Sequence, residues 1–235
     1  MPELKKDYVD VVYNERDRPF TTYPDQLTHY LATRYGFGSG KQLLDIGCGR
    51  GEFLKGFVRC GVQGYGVDSS RAAIKVCPEA DLRIANLEKE SLPFEDNFFD
   101  VVFSKSVIEH FYYPEKLVQE IYRVLKPGGL VITMCPDWEY NYRIYFEDYT
   151  HRTPFMMTSL RDIKLIHGFE EVRCEYFRQL PILWGRPWLI PLAELARLLA
   201  PTFLKKYSKF VRFSKEIMLL ATAIKPASGA QGAGE

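Results

Sequence analysis

The chain has 235 residues, 46% hydrophobic and 26% charged, with a formal net charge of +1, which fits one large α/β domain or one domain with an elaborated cap. So balanced a charge excludes a global electrostatic pull toward nucleic acid and leaves only a local basic patch to look for. Five scattered cysteines (Cys48, Cys60, Cys77, Cys135, Cys174), with no Cys-x-x-Cys pair and no Cys/His cluster at zinc spacing, predict reduced structural thiols and no metal site.

The opening "MPELKKDYVD" lacks the apolar core of a signal peptide, and no run of 18 apolar residues occurs, so a cytoplasmic protein is expected. Residues 24 to 35 carry Leu27, Tyr30 and Leu31 at helical spacing before "GFGSGK" breaks the pattern. "QLLDI" reads as a buried parallel strand. "EFLKGFVRCG" puts Phe53, Leu54, Phe57 and Val58 on one helical face and ends at Gly61. "GYGVD", "DLRIAN" and "FDVVFS" are the second to fourth strands. "PEKLVQEIYRVLKPGG" begins a helix at Pro114, stripes it with Leu117, Ile121, Val124 and Leu125, and stops it at Gly128. "LVITMC" is the fifth strand. Beyond Cys135 come an aromatic stretch from Trp138 to Tyr149, a helix from about Thr158 to His167 closed by Gly168, a strand near "EEVRCEYF", an apolar segment, and a last strand "EIMLLATAI".

This alternation predicts an α/β fold of the doubly wound kind, a mostly parallel sheet with right-handed crossovers and helices on both faces. Ligands then sit beyond the carboxyl ends of the strands. Residues 1–40 read as an N-terminal helical lid, 41–224 as the main domain with cap insertions at about 137–157 and 181–214, and 225–235 as a disordered tail.

"LLDIGCGRGEF" identifies the ligand class. A dinucleotide turn wants Gly-x-Gly-x-x-Gly, whereas this chain has Gly47-x-Gly49-x-Gly51 with Asp45 two residues ahead. An acid there repels a pyrophosphate and suits a cationic ligand. Asp68 ends the second strand, where a carboxylate accepts both hydroxyls of a ribose. A ribose with a positive group and no phosphates describes S-adenosylmethionine.

With "LLDIGCGRGEF", "GYGVD", "ANLEKESLPFEDNFFDVV", "SVIEHF" and "VLKPGGLVIT" in this order over roughly residues 41 to 134, the sequence resembles the class I S-adenosylmethionine-dependent methyltransferases, and especially their small-molecule branch. The resemblance implies a Rossmann-like, seven-stranded, mostly parallel sheet, here with the N-terminal lid and an inserted cap before the last strand. It implies that Gly47, Gly49 and Gly51 bring backbone against the cofactor's methionine and ribose and that Asp45 helps fix the turn and the ammonium side; Cys48 is counted with this cofactor-binding turn, its side chain reading as a small packing group rather than a reactive thiol. Asp68 would hold the ribose hydroxyls and Ser69 would lie beside the adenine. Asn86 would meet the adenine amino group, Leu87 would offer backbone at the ring edge, and Ser104 would give its carbonyl to the ammonium.

Methyl transfer from a sulfonium is an in-line displacement, and a hydroxyl acceptor also needs a base. "DYTHRTPF" offers His151, with Asp148, Tyr149 and Arg152 as supporting neighbours; base and loop-organising roles both stand open. His110 in "IEHF" similarly divides between substrate contact and packing. In "YNERDRPFTTYP", Tyr13, Arg16, Arg18 and Tyr23 form a lid that could close on the cofactor's carboxylate, or a surface linker. The aromatic residues of 138–149 suit a mostly apolar pocket for a small or lipidic molecule.

Between 181 and 214, Leu192, Leu195, Ala196 and Leu199 share a helical face, and Lys205, Lys206, Lys209, Arg212 and Lys215 follow without an acid. The segment 188–215 could rest on an anionic membrane at the inner surface and reach a lipid-linked acceptor, or cap the acceptor pocket, or form a homodimer; the cap is the favoured reading. The expected function is O-methylation of a small-molecule, glycan or lipid-linked acceptor. N- or C-methylation of a metabolite and a non-catalytic partner subunit are the alternatives, and no nucleic-acid acceptor motif follows the fourth strand.

Overall fold

The computed structural model describes residues 19–70, 77 and 79–227 of the chain. Helix α1 (Tyr23–Tyr35) leads into β1 (Gln42–Ile46), α2 (Glu52–Arg59), β2 (Gln63–Asp68), β3 (Asp81–Ile84) and β4 (Phe99–Lys105). After a 3-10 turn at Ile108–His110 come α3 (Pro114–Val124), β5 (Leu125–Pro136), α4 (Met157–Ile166) and β6 (Glu170–Arg178). The segment between β6 and β7 (Ile217–Ile224) holds α5 (Ile190–Leu199) and α6 (Lys209–Lys215).

Among the described residues seven strands form one sheet in the order β3-β2-β1-β4-β5-β7-β6. β1 to β5 are parallel, and β7 runs antiparallel between β5 and β6. Alternation along the strands divides the core. Leu43, Val101 and Phe103 pack against Leu27 and Leu31 of α1 and Leu54 and Phe57 of α2, whereas Leu44, Ile46 and Val102 pack against Leu117 and Ile121 of α3 and Leu160 of α4. Each such buried aliphatic or aromatic side chain contributes about 1.5–3 kcal/mol relative to exposure. The architecture is the expected one, and none of the helices in the described residues is long and apolar enough to cross a membrane.

Two boundaries differ from expectation. α3 ends at Val124 because Leu125 already turns extended and pairs with Phe99 in the sheet. Gly128 therefore serves a turn inside the β5 segment, with φ at +78°, rather than the helix stop. Lys225, expected in a disordered tail, donates its ammonium to the carbonyls of Tyr122 and Leu125 at 2.8 Å. A cation on the last carbonyls of α3 satisfies acceptors that the helix leaves open. Residues 228–235 of the expected tail lie outside the described residues.

One core group is unusual. Lys164 on α4 is buried, with its ammonium donating to the Thr133 hydroxyl at 2.8 Å, and burial pushes its pKa down to about 8. Because the folded value lies below the unfolded one, the cost of burying this charge is felt in full below pH 8. It fades as pH rises from about 8 toward the ordinary lysine value of 10.5. Lys164→Met should therefore stabilise the fold at pH 7, by at most about 3 kcal/mol, and less at pH 10. Thermal unfolding at the two pH values checks this, and a variant less stable at pH 7 shows that the Thr133 hydrogen bond outweighs the desolvation cost.

Candidate active site

The carboxyl ends of β1, β2 and β4 meet at the glycine turn. Gly47, Gly49 and Gly51 have φ of +69°, +49° and +71°, a region that costs residues with a Cβ roughly 1–2 kcal/mol each. At Gly47 a Cβ would also lie 2.4 Å from Val107 Cγ2, so the turn after β1 presses directly on the loop after β4. The Gly47 and Cys48 amides both donate to the Val67 carbonyl, at 2.8 and 3.2 Å, which ties the turn to the end of β2.

Asp68 completes that tie. Its Oδ2 accepts the Gly49 amide and its Oδ1 the Ser70 amide, both at 2.8 Å. A carboxylate has about four acceptor positions, so these bonds are compatible with the ribose role expected of it. They also correct the expectation for Asp45. Asp45 does not hold the turn, because it lies within β1, opposite Gly66 and Phe103. Its side chain is 2% exposed, its Oδ2 has no hydrogen-bond partner, and burial, followed by the charge of Asp68, pushes its carboxyl well above the usual range. A buried acceptor lacking a donor is costly, and a cationic ligand supplies one.

The other expected cofactor residues fall around this frame. Ser104 sits near the carboxyl end of β4, level with Ile46 and Thr133, and its buried hydroxyl also lacks a partner. Asn86 follows β3, but its Oδ1 accepts the Glu88 amide at 3.2 Å, so an adenine amino group would have to share that oxygen. Leu87 is half-buried against the core and Ser69 is exposed. Cys48 is buried against the Gly66 backbone, and burial pushes its thiol upward, which suits packing rather than reactivity.

Tyr13, Arg16 and Arg18 lie outside the described residues. Of the lid segment, Phe20 lies 4.3 Å from the Arg50 guanidinium, and Arg50 pairs with Glu52 at 2.7 Å, so this stretch does touch the glycine turn. Tyr23 instead donates to Gln179 Oε1 at 3.2 Å and packs on Phe53 and Trp184.

The fold joins the two candidate histidines, 41 positions apart in sequence, into one cluster. His110 follows β4 in the 3-10 turn and His151 follows β5 in its loop, and their ring centroids are 4.8 Å apart. The loop is fastened by the Arg152 and Thr153 amides, which both donate to the Glu109 carbonyl at 2.8 and 3.1 Å. His151 Nδ1 lies 2.6 Å from the Tyr145 carbonyl, and a carbonyl only accepts, so Nδ1 carries the proton and Nε2 is the basic atom. Thr150 donates its hydroxyl to Asp148 at 2.5 Å and meets His110 Nδ1 at 2.9 Å, which gives His110 the same tautomer. Burial lowers both pKa values, that of His110 further through its neighbour His151.

Glu109 was not singled out in the sequence, where only its neighbour His110 drew a reading. It is fully buried, neither carboxyl oxygen is in hydrogen-bond geometry with a partner, and burial pushes its pKa up to about 8. The backbone amides of Glu109 and Val107 and the charge of Lys105 oppose that shift without cancelling it. Glu109, His110 and His151 each bring one ligand-type atom to within 4.8 Å of the others, a set able to pass a proton or to hold a cation.

The aromatic stretch divides between core and surface. Tyr145 is buried, packed edge-on against Trp138 and Phe146 and tilted against His151, whereas Tyr142, Phe146 and Tyr149 are exposed. A separate cleft lined by Asp25, His29, Phe37 and Arg59 opens at the amino ends of β1 and β2 and reaches none of these residues.

Residues 44–133 match the methyltransferase domain family. The chain is 31% identical over 135 residues, 56% of its length and 33% of the relative's, to a tRNA (carboxymethyluridine(34)-5-O)-methyltransferase of Arabidopsis thaliana. It is 34% identical over 158 residues, 62% of its length and 36% of the relative's, to phosphoethanolamine N-methyltransferase 2 of Caenorhabditis elegans. The chain thus spans about a third of the length of these curated relatives. In fold it is similar to a SAM-dependent methyltransferase of Archaeoglobus fulgidus, with a TM-score of 0.66 at 21% identity over 93% of this chain and all of that one.

The left-handed glycines, the Asp68 carboxylate and the donorless Asp45 oxygen together fit S-adenosylmethionine. Asp68→Ala should weaken calorimetric binding of the cofactor and its demethylated product at least about tenfold, or roughly 1.4 kcal/mol. Gly47→Ala should weaken it as severely, through both φ and Val107. An intact protein that binds neither compound would move the non-catalytic partner reading to the front.

Proposed function

We propose that this chain, whose residues 44–133 match the methyltransferase domain family, is a class I S-adenosylmethionine-dependent methyltransferase that methylates an oxygen of a small-molecule, glycan or lipid-linked acceptor. The observation that carries this reading is the His110–His151 pair. Two imidazoles with protonated Nδ1 atoms, depressed pKa values and basic Nε2 atoms, on the loops after β4 and β5, suit removal of a hydroxyl proton at neutral pH.

The cofactor supplies an electrophilic methyl group on a positively charged sulfur. The protein's part begins with binding: Asp68 takes the ribose hydroxyls, the glycine turn brings main chain against the cofactor, and Asp45 faces its positive side. His151 Nε2 then accepts the acceptor hydroxyl proton as the oxygen–methyl bond forms and the sulfur–methyl bond breaks. The Tyr145 carbonyl and the Asp148–Thr150–His110 chain hold the two rings in the orientation this requires. Glu109, neutral at pH 7 because burial pushes its pKa up to about 8, already holds a proton and can pass it onward only as it takes up the one His151 has gained. The cytoplasm is the proposed site of action, supported by five cysteines that are all free thiols.

A general base of this kind is worth about 10²–10⁴ in rate. His151→Ala should lower kcat by about a hundredfold at saturating acceptor while leaving affinity for the demethylated cofactor unchanged. The base works only unprotonated and its pKa is lowered from 6.5, so the acid limb of wild-type kcat should lie below pH 6.5, while any change near pH 8 reports Glu109. If the variant keeps most of its turnover, the base assignment fails and methylation of an already unprotonated nitrogen takes its place.

Activity should also survive treatment with a chelator. A loss restored by a divalent cation would turn Glu109, His110 and His151 from a proton-passing group into metal ligands.

A further inference from the structure

The segment between β6 and β7 inverts the usual rule for an amphipathic helix. On α5, Ala193 is buried and Ala196 is half-buried, while Leu192, Leu195, Leu198 and Leu199 are exposed, Leu199 at 72%. The small cluster that holds the segment together uses Leu180, Leu183 and Ala193 with Leu189, Phe210 and Phe213, none of them from the leucine face. Trp188 at 73%, Phe203 at 64% and Tyr207 at 82% extend the exposed apolar surface on either side. The expectation that these leucines cap an acceptor pocket is therefore corrected: their face meets solvent.

Charge indicates what covers it. Between 180 and 216 the sequence has seven cations (Arg186, Arg197, Lys205, Lys206, Lys209, Arg212, Lys215) and two acids, Glu194 and Glu216. Both acids are engaged. Glu194 pairs with Arg178 and with Arg197, the latter at 2.7 Å, and Glu216 pairs with Lys205 at 2.8 Å and Arg212 at 3.0 Å. The run from Lys205 to Lys215 itself holds no acid, and even with Glu216 closing it the surface stays strongly positive, with Arg186, Lys209 and Arg212 exposed. Protein interfaces deplete lysine, whereas exposed aliphatic residues with Trp and Tyr and a basic fringe match the headgroup zone of an anionic bilayer.

We propose that the surface from Trp188 to Arg212 seats the protein on an anionic membrane. The placement also deepens the functional reading, and rests on it in this one respect: the acceptor would be lipid-linked. Arg197 on α5 lies 5.2 Å from the Tyr140 ring, on the segment between β5 and α4 that also carries His151, so α5 packs beside that segment. Trp184 stacks on Tyr30 at 4.8 Å, which fixes the segment to α1.

The test is vesicle flotation of the full chain with phosphatidylglycerol/phosphatidylcholine vesicles against phosphatidylcholine alone, together with the Leu195→Glu/Leu199→Glu variant. Both positions are exposed, so the variant should keep its fold and its affinity for the demethylated cofactor. The wild type should float with the anionic vesicles, and high salt or the double substitution should each weaken this about tenfold or more. No flotation of the wild type, or equal flotation of the variant, overturns the proposal. So does light scattering that shows a dimer which the variant dissolves, because the face then belongs to a second copy. Catalysis is not read in this experiment, so its failure leaves the His151 result standing, and the reverse holds as well.

Discussion

The carboxylate of Asp68, held between the amides of Gly49 and Ser70, is the joint on which the rest of the site depends. It lies at the carboxyl end of β2, one strand away from the glycine turn after β1, and it locks the turn's left-handed backbone in place. Charge-assisted bonds from backbone amides are among the stronger polar contacts in proteins. Because Asp68 does this work, Asp45 is left buried behind it with an unused oxygen and an elevated pKa. One acid shapes the cradle and the other lies buried beside it.

A second joint, between loops, builds the catalytic candidate. Val107 closes against Gly47, and the next turn of chain carries Glu109 and His110. The Glu109 carbonyl then holds two successive amides of the loop after β5, and this brings His151 to His110. Glu109 itself is stripped of water: its carbonyl is spent on the loop and its carboxyl is buried without a hydrogen-bond partner. Neutral histidines beside a carboxyl held near neutrality form a group in which a proton costs little to move.

The segment before the last strand obeys another constraint. β7 must enter the sheet between β5 and β6, so the chain has to leave the edge strand β6, turn, and come back. Leu180, Leu183, Leu189 and Ala193 with Phe210 and Phe213 hold that excursion together. The leucines of α5 are then surplus to the fold, and their exposure is a property of the surface, not of the core.

Much of this was legible in sequence because it is local. The buried strands, the glycine spacing, the position of Asp68 and the order of helices follow from periodicity and from which residues tolerate left-handed backbone, and all of them recur in the structure. Tertiary structure alone decided the remainder. Leu125 joined the sheet rather than α3 because a strand partner was waiting. Asp45 gave up the turn to Asp68 because side chains alternate along β1. Lys225 was drawn out of an apparently featureless tail by the open carbonyls of α3. Helical spacing told that Leu192, Leu195 and Leu199 share a face, yet not whether that face looks in or out, since a periodic pattern carries no information about what lies opposite. Nor could it bring His110 to His151 or bury Glu109, for those depend on two loops meeting across 41 residues of chain.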